Sequence, residues 1–148
     1  MNLLEKLQRI CRKVNDEFLF GFDEIPPSLN AYYRHARRKT YITPAGKLFK
    51  RRMHNLLFKL GNGSYVVPVE MEVTIIVPDK RAHDVDNFLK ALLDSMENLV
   101  FVNDQLVVKL TVEKDYVKGV SRTEICVKPA NRSKYKLFTS TSQLIKKK

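Results

Sequence analysis

The sequence predicts an α+β fold: a two-layer sandwich with helices packed on a small mixed or antiparallel sheet. Some segments repeat their apolar residues at helical spacing, and others alternate at strand spacing. Helices and strands are segregated along the chain, as expected for helices covering one sheet. At 148 residues the length is that of one domain, large enough for a real core.

The elements follow in order. Residues 3–18 place Leu3, Leu4, Leu7, Ile10, Cys11, Val14 and Phe18 at helical spacing. Such an amphipathic helix could pack on the domain, bind a partner or help dimerise. Phe18 to Phe22 is a short apolar run consistent with a strand, and Pro26-Pro27-Ser28 stops it. Residues 28–41 are polar and aromatic without a period, which predicts a loop or mobile arm. Thr43-Pro44 is a cap followed by proline at the first helical position. The helix should run to about Leu60, with Phe49, Met53, Leu56, Leu57 and Leu60 inward. Gly61-Asn62-Gly63-Ser64 ends it. Val69 to Val77 alternates as a strand and Pro78 closes it. Asp79 to His83 is a surface loop. From Asp86 a second helix puts Lys90, Asp94 and Glu97 on one side and Phe88, Leu89, Leu92, Leu93, Met96 and Leu99 on the other. Leu106 to Val117 and Arg122 to Val127 read as two strands of a hairpin joined by Lys118-Gly119-Val120-Ser121.

Composition narrows the function. The net charge is +11. Residues 34–52 hold eight basic residues and no acid, and residues 129–148 hold six and no acid. These segments contribute +14, leaving −3 for the remainder (13 basic against 16 acidic). Basic blocks are footprints for nucleic acid, because neutralising phosphates releases counterions. Arg34, Arg37, Arg38, Lys47, Lys50, Arg51 and Arg52 are the candidate DNA contacts. Tyr32, Tyr33, His35 and Tyr41 interleave with them and suit stacking or sugar–phosphate bonding. A solubilising surface is the alternative, and for the terminal lysines a solvated tail. No apolar run is long enough to span a membrane. The first residues lack a signal-peptide layout, so a cytoplasmic protein is expected. Cys11 and Cys126 lack metal-ligand spacing and read as reduced, incidental thiols.

Against this charge, Asp84-Val85-Asp86-Asn87-Phe88-Leu89-Lys90 with Asp104 forms an acidic knot holding one lysine. Carboxylates would repel a polyanion unless cations sat between them. A metal-dependent nuclease has that arrangement: carboxylates hold Mg²⁺ or Mn²⁺, and the metal meets phosphate. Asp84 and Asp86, at i and i+2, project from one side of an extended backbone. Either could instead be just a helix N-cap. Asp104 follows a short turn, so the chain can bring it back toward the helix. His83, a lone loop histidine, is left out of the metal shell.

Residues 84–90, then Asp94, then Asn103-Asp104-Gln105 resemble the RusA-type Holliday junction resolvases. Upstream, Pro27-Ser28-Leu29-Asn30-Ala31-Tyr32-Tyr33-Arg34-His35, Tyr41-Ile42-Thr43 and Gly46-Lys47 look like the family's N-terminal signature. The resemblance covers residues 18–128 in one unbroken order. It leaves residues 1–17 as an N-terminal helical extension and residues 129–148 as a basic tail. The family often shows a more basic run before the first aspartate, where this chain has Asp79-Lys80-Arg81-Ala82-His83. The resemblance implies Asp84, Asp86 and Asp104 as catalytic, metal-binding carboxylates and Lys90 as the catalytic-site lysine. Neighbouring Asp86 and Asp94 should keep Lys90 charged, favouring an electrostatic role. It also implies Mg²⁺ (Mn²⁺ as substitute), four-way DNA junctions as substrate, paired nicks by a homodimer, and a bacterial or phage-infected cell. The competing readings are a structure-selective nuclease acting on flaps or forks, and a non-catalytic junction-binding protein.

Overall fold

The computed structural model describes residues 13–14, 17–60, 64–81 and 83–130. Among the described residues there are seven strands and three α-helices: β1 (Lys13–Val14), β2 (Glu17–Phe22), α1 (Leu29–Tyr32), β3 (Tyr33–Ala36), β4 (Lys39–Ile42), α2 (Pro44–Leu60), β5 (Val69–Val77), α3 (Leu89–Met96), β6 (Val107–Tyr116) and β7 (Arg122–Pro129). A 3-10 turn, Val85–Phe88, leads into α3, and another, Asp104–Leu106, leads into β6. The main sheet has the order β1-β2-β7-β5-β6, and β3-β4 is a separate hairpin. The sheet is mixed, because β5 pairs β6 in parallel and β7 antiparallel. The α+β expectation holds.

Strand period explains the core. Val69, Met71, Val73, Ile75 and Val77 are buried on one face of β5. Phe18, Phe20 and Phe22 line up beside them from β2, and Thr123, Ile125 and Val127 from β7. Helix α2 lays Phe49, Met53 and Leu57 on this face, and α3 adds Ala91, Leu92 and Met96. Each fully buried aliphatic side chain contributes about 1.5–3 kcal/mol of transfer free energy. This double row of large side chains is therefore the main source of stability.

Three expectations need correction. The helix over 3–18 does not reach its predicted end, because Lys13 pairs with Phe18 and Val14 with Glu17. The strand register buries three phenylalanines together, with ring centroids 4.9 and 6.5 Å apart along the row. A helix ending at Phe18 would have forfeited one of them. Residues 1–12 lie outside the described residues, as do 131–148. Residues 28–41 are not a loop: they form α1 and the β3–β4 hairpin. Finally, β6 and β7 do not pair with each other, since β5 lies between them. β5 is buried at every second position, so flanking it on both sides protects more apolar surface than a β6–β7 hairpin would. The connecting turn crosses the end of β5, with Val117 N–H donating to Val77 O and Gly119 N–H to Pro78 O.

Candidate active site

Four local structures carry the singled-out residues. The first is the loop before α3. Asp79 accepts from Arg81 N–H at 3.0 Å and bonds His83 Nε2 at 2.9 Å. Lys114 Nζ donates to the His83 carbonyl at 2.8 Å, tying this loop to β6. His83 is thus occupied in holding the loop. Its bond and the Arg81 amide hold the Asp79 carboxyl below the usual carboxylate range.

The second is the 3-10 turn. Asp84 occupies its N-cap position in extended backbone but makes no side-chain cap bond. Its carbonyl accepts from Asn87 N–H, while the carboxylate is exposed. Asp86 is exposed too. Capping therefore does not account for the Asp84 side chain. The third is the turn after α3. Glu97, in extended backbone, ends the helix, and Asn98 follows with φ of 67°, its N–H donating to Phe101 O. Tyr65 pins the turn through backbone bonds with Val100 and Val102. Asn103 then caps Asp104–Leu106 by accepting from Gln105 N–H at 2.8 Å. Phe101 and Leu106, both fully buried, anchor Asp104 on either side.

The fourth is the face of α3 itself. Lys90 Nζ donates to Asp94 Oδ1 at 2.9 Å. The Tyr33 hydroxyl, from β3, donates to Asp94 Oδ2 at 2.6 Å. The hydrogen bond to Asp94 holds the Lys90 pKa above its ordinary value, aided by the charges of Asp94 and Asp104 and opposed by partial burial. Asp86 plays no part in this, contrary to expectation; Asp104 takes its place. Burial pushes the Tyr33 phenol up to about 12, with the Asp94 bond adding to it. Tyr32 is also pushed up to about 12, by burial first and then by Asp94. Among the described residues its buried hydroxyl has no hydrogen-bond partner.

The sequence profile described as Endodeoxyribonuclease RusA matches residues 24–128. The chain belongs to the RusA family. A protein named Crossover junction endodeoxyribonuclease RusA from Shigella sonnei (strain Ss046) is 33% identical over 107 residues, 69% of this chain and 87% of that protein. Its namesake in Escherichia coli (strain K12) is 32% identical over 107 residues, with the same coverage. That of Enterobacteria phage 82 is 32% identical over 108 residues, again 69% and 87%.

Within this RusA chain, Lys90, Asp94 and Tyr33 are joined directly, and Asp104 acts on Lys90 through its charge. Among the described residues, no three His, Cys, Asp or Glu side chains stand close enough to hold an ion as they are. The donor chemistry nevertheless suits a hard cation. Asp84, Asp86 and Asp104 supply carboxylate oxygens on turns, and none of these side chains is engaged by a hydrogen bond or ion pair among the described residues. A hollow of about 280 Å³ lies elsewhere, on the open face of the sheet, lined by Leu19, Glu72, Thr74, Glu124 and the free thiol Cys126. It has no part in this site.

The basic candidates fall into two groups. Arg34 lies on β3, and Arg37 and Arg38 form the hairpin turn. Lys47, Lys50, Arg51 and Arg52 lie on α2. Arg52 differs from the others, being held by Glu24 through Nε at 3.0 Å and Nη2 at 2.7 Å. Sequence reasoning missed Tyr33 as a partner of Asp94. It had grouped Tyr33 with the stacking aromatics, and nothing in the spacing links residues 61 apart.

Proposed function

We propose that the protein is a metal-dependent endodeoxyribonuclease that resolves four-way DNA junctions by paired nicks, acting as a homodimer in the cytoplasm of a bacterial or phage-infected cell. Lys90 carries the reading: it is paired with Asp94 yet 47% exposed, Asp94 and Asp104 reinforce its charge, and it follows directly in the chain on the turn bearing Asp84 and Asp86. The names of the bacterial and phage relatives support the reaction.

Asp84, Asp86 and Asp104 are the residues that would hold Mg²⁺, or Mn²⁺ in its place. When bound, the metal offsets phosphate charge and acidifies the attacking water. Lys90, held cationic, directs its free N–H groups to the phosphate oxygens where charge grows in the transition state. Asp94 keeps that ammonium in place. The exposed Arg34, Arg37, Arg38, Lys47 and Arg51 and the half-buried Lys50 neutralise backbone phosphates and orient the duplex arms. A two-fold junction has two strands to cut, and one site per chain calls for two chains. The ten-residue edge strand β6 and the part-exposed Leu110, Tyr116, Val117 and Val120 provide apolar surface for that pairing.

The test is cleavage of labelled four-way, flap, fork and linear duplex DNA, with Mg²⁺, with Mn²⁺ and with EDTA. Junctions should be cut in preference, and EDTA should stop the reaction. Asp84→Asn, Asp86→Asn and Asp104→Asn should abolish cleavage and leave junction binding intact or tighter. Lys90→Ala should cost on the order of a hundredfold in turnover. Equal cutting of linear duplex, or three aspartate variants with full activity, would overturn the reading. Light scattering on the protein, free and junction-bound, tests the dimer.

A further inference from the structure

We propose that Asp94 and Tyr33 are positioning residues that lock the Lys90 ammonium and make its placement depend on the basic β3–β4 hairpin. The inference rests on the nuclease reading above and adds to it a mechanical link between DNA grip and chemistry.

The geometry is that of a bridge. The two oxygens of Asp94 are divided between two elements: Oδ1 takes Lys90 from its own helix, and Oδ2 takes Tyr33 from the hairpin. Asp94 is only 14% exposed, so water competes poorly for either oxygen. Tyr33 opens the strand that continues into Arg34 and the Arg37–Arg38 turn. The strand's base is clamped. Tyr33 N–H donates to Leu29 O, and Tyr32 O accepts from Thr43 N–H at 2.9 Å. The Thr43 hydroxyl donates to Ala31 O and accepts from Gly46 N–H at the start of α2. A pull on the hairpin arginines is therefore delivered to a short, fixed stem, and among the described residues the stem's side-chain bond to α3 is Tyr33 to Asp94.

A lysine alone would suit the site poorly. Its four-carbon stem is flexible, and ordering it costs rotamer freedom. Asp94 removes that freedom in advance while leaving further N–H donors of Lys90 free for phosphate. Tyr33 in turn fixes the Asp94 rotamer. The phenol stays a donor across the working pH range, because burial and the carboxylate both disfavour its ionisation. Without Tyr33, the Asp94 carboxylate can rotate and carry Lys90 with it.

The experiment uses the full chain, a synthetic labelled four-way junction and single-turnover cleavage at saturating protein. Tyr33→Phe should cut about ten- to a hundredfold more slowly, the range for a misplaced reacting group. Its junction affinity and the salt dependence of binding should match those of the unaltered protein. Asp94→Asn should lose at least as much. The deciding readout is the cycle with Lys90→Ala: the double variant Tyr33→Phe, Lys90→Ala should be no slower than Lys90→Ala alone. Full turnover in Tyr33→Phe, a loss that appears only in affinity, or a loss that adds in full to that of Lys90→Ala would each overturn the proposal. Melting temperatures recorded beside the rates identify a variant that fails to fold, in which case Asp94→Asn with Lys90→Ala supplies the same cycle. A fully active Lys90→Ala would also overturn the proposal while leaving the nuclease reading standing, whereas no EDTA-sensitive junction cleavage by the unaltered protein would sink the nuclease reading itself, so the two failures are distinct.

Discussion

Gly46 offers the sharpest test of how the hairpin stem is held. It lies inside the first turns of α2, where glycine costs about 1 kcal/mol relative to alanine. On helix propensity alone, Gly46→Ala should stabilise the protein by that amount. The structure opposes this. A Cβ at Gly46 would sit 2.8 Å from Ile42 Cγ2, 2.8 Å from Tyr32 Cδ2 and 2.9 Å from Tyr32 O. Contacts of carbon with carbon want about 3.5–4.0 Å, so all three neighbours must give way. Tyr32 cannot do so freely: its side chain is fully buried, and its carbonyl is the acceptor for Thr43 N–H. Overpacking a tight site costs about 1–3 kcal/mol, rising toward the top of that range where backbone must move. Set against the propensity gain, the net loss should be about 1–2 kcal/mol. Urea denaturation measures it directly, and the melting temperature should fall by about 3–8 °C. Asn55→Ala, at an exposed position on the same helix, should stabilise by a few tenths of a kcal/mol and serves as the control. Because Tyr32 precedes Tyr33, the surviving folded Gly46→Ala should also turn over more slowly. A variant stabilised by about 1 kcal/mol, with normal turnover, would refute the close approach and the clamp built on it.

Other perturbations probe the same arrangement. Arg37 and Arg38 both have positive φ, 50° and 63°, a conformation costing L-residues about 1–2 kcal/mol each; Arg37→Asn with Arg38→Gly should therefore raise thermal stability while weakening DNA binding, and a loss of stability would refute the strain. Alanine at Arg34, Lys47 or Arg51 should each lower the log–log salt slope of DNA binding by roughly one unit, whereas Arg52→Ala, already paired with Glu24, should lower it less; equal slopes for all four would show that the pairing is broken on DNA. The Lys90 pKa is raised above 10.5 on folding, so the pair's contribution to stability is present below 10.5 and is lost as pH rises through the folded value; denaturation midpoints of the wild type and Lys90→Ala, compared between pH 7 and 9.5, should keep a constant difference.

Much of the fold was legible because it depends on local patterns. Thr43-Pro44 marks the start of α2 since its chemistry is local: the Thr43 hydroxyl accepts from Gly46 N–H, and proline gives up an amide the helix does not need. The alternation in β5 is legible because one face is buried throughout. Partnership between strands is another matter. Adjacent strands separated by a glycine turn suggest a hairpin, and only the competition for β5 decides against it. The β3–β4 hairpin left no trace because its strand residues are exposed or half-buried, so no apolar alternation arises. Its turn also lacks the asparagine and glycine that usually announce positive φ.

The site was legible to a different depth. Asp84, Asp86, Lys90 and Asp104 stand out as candidates because an acidic segment is conspicuous in a basic chain, and their proposed roles come from the family resemblance. Their arrangement could not. Asp94 shows why. In sequence it is a polar residue one turn beyond a lysine, a pairing worth only a few tenths of a kcal/mol on an exposed helix. What changes its meaning is Tyr33, delivered by a hairpin that the sequence did not announce. The same hydroxyl explains why Gly46, part of the upstream signature, belongs with the acidic segment: glycine lets α2 close on Tyr32, and that contact sets Tyr33 against α3. On the reading proposed above, the upstream signature and the acidic segment would act as one unit, and the hydrogen bond from Tyr33 to Asp94 is a side-chain contact through which they meet.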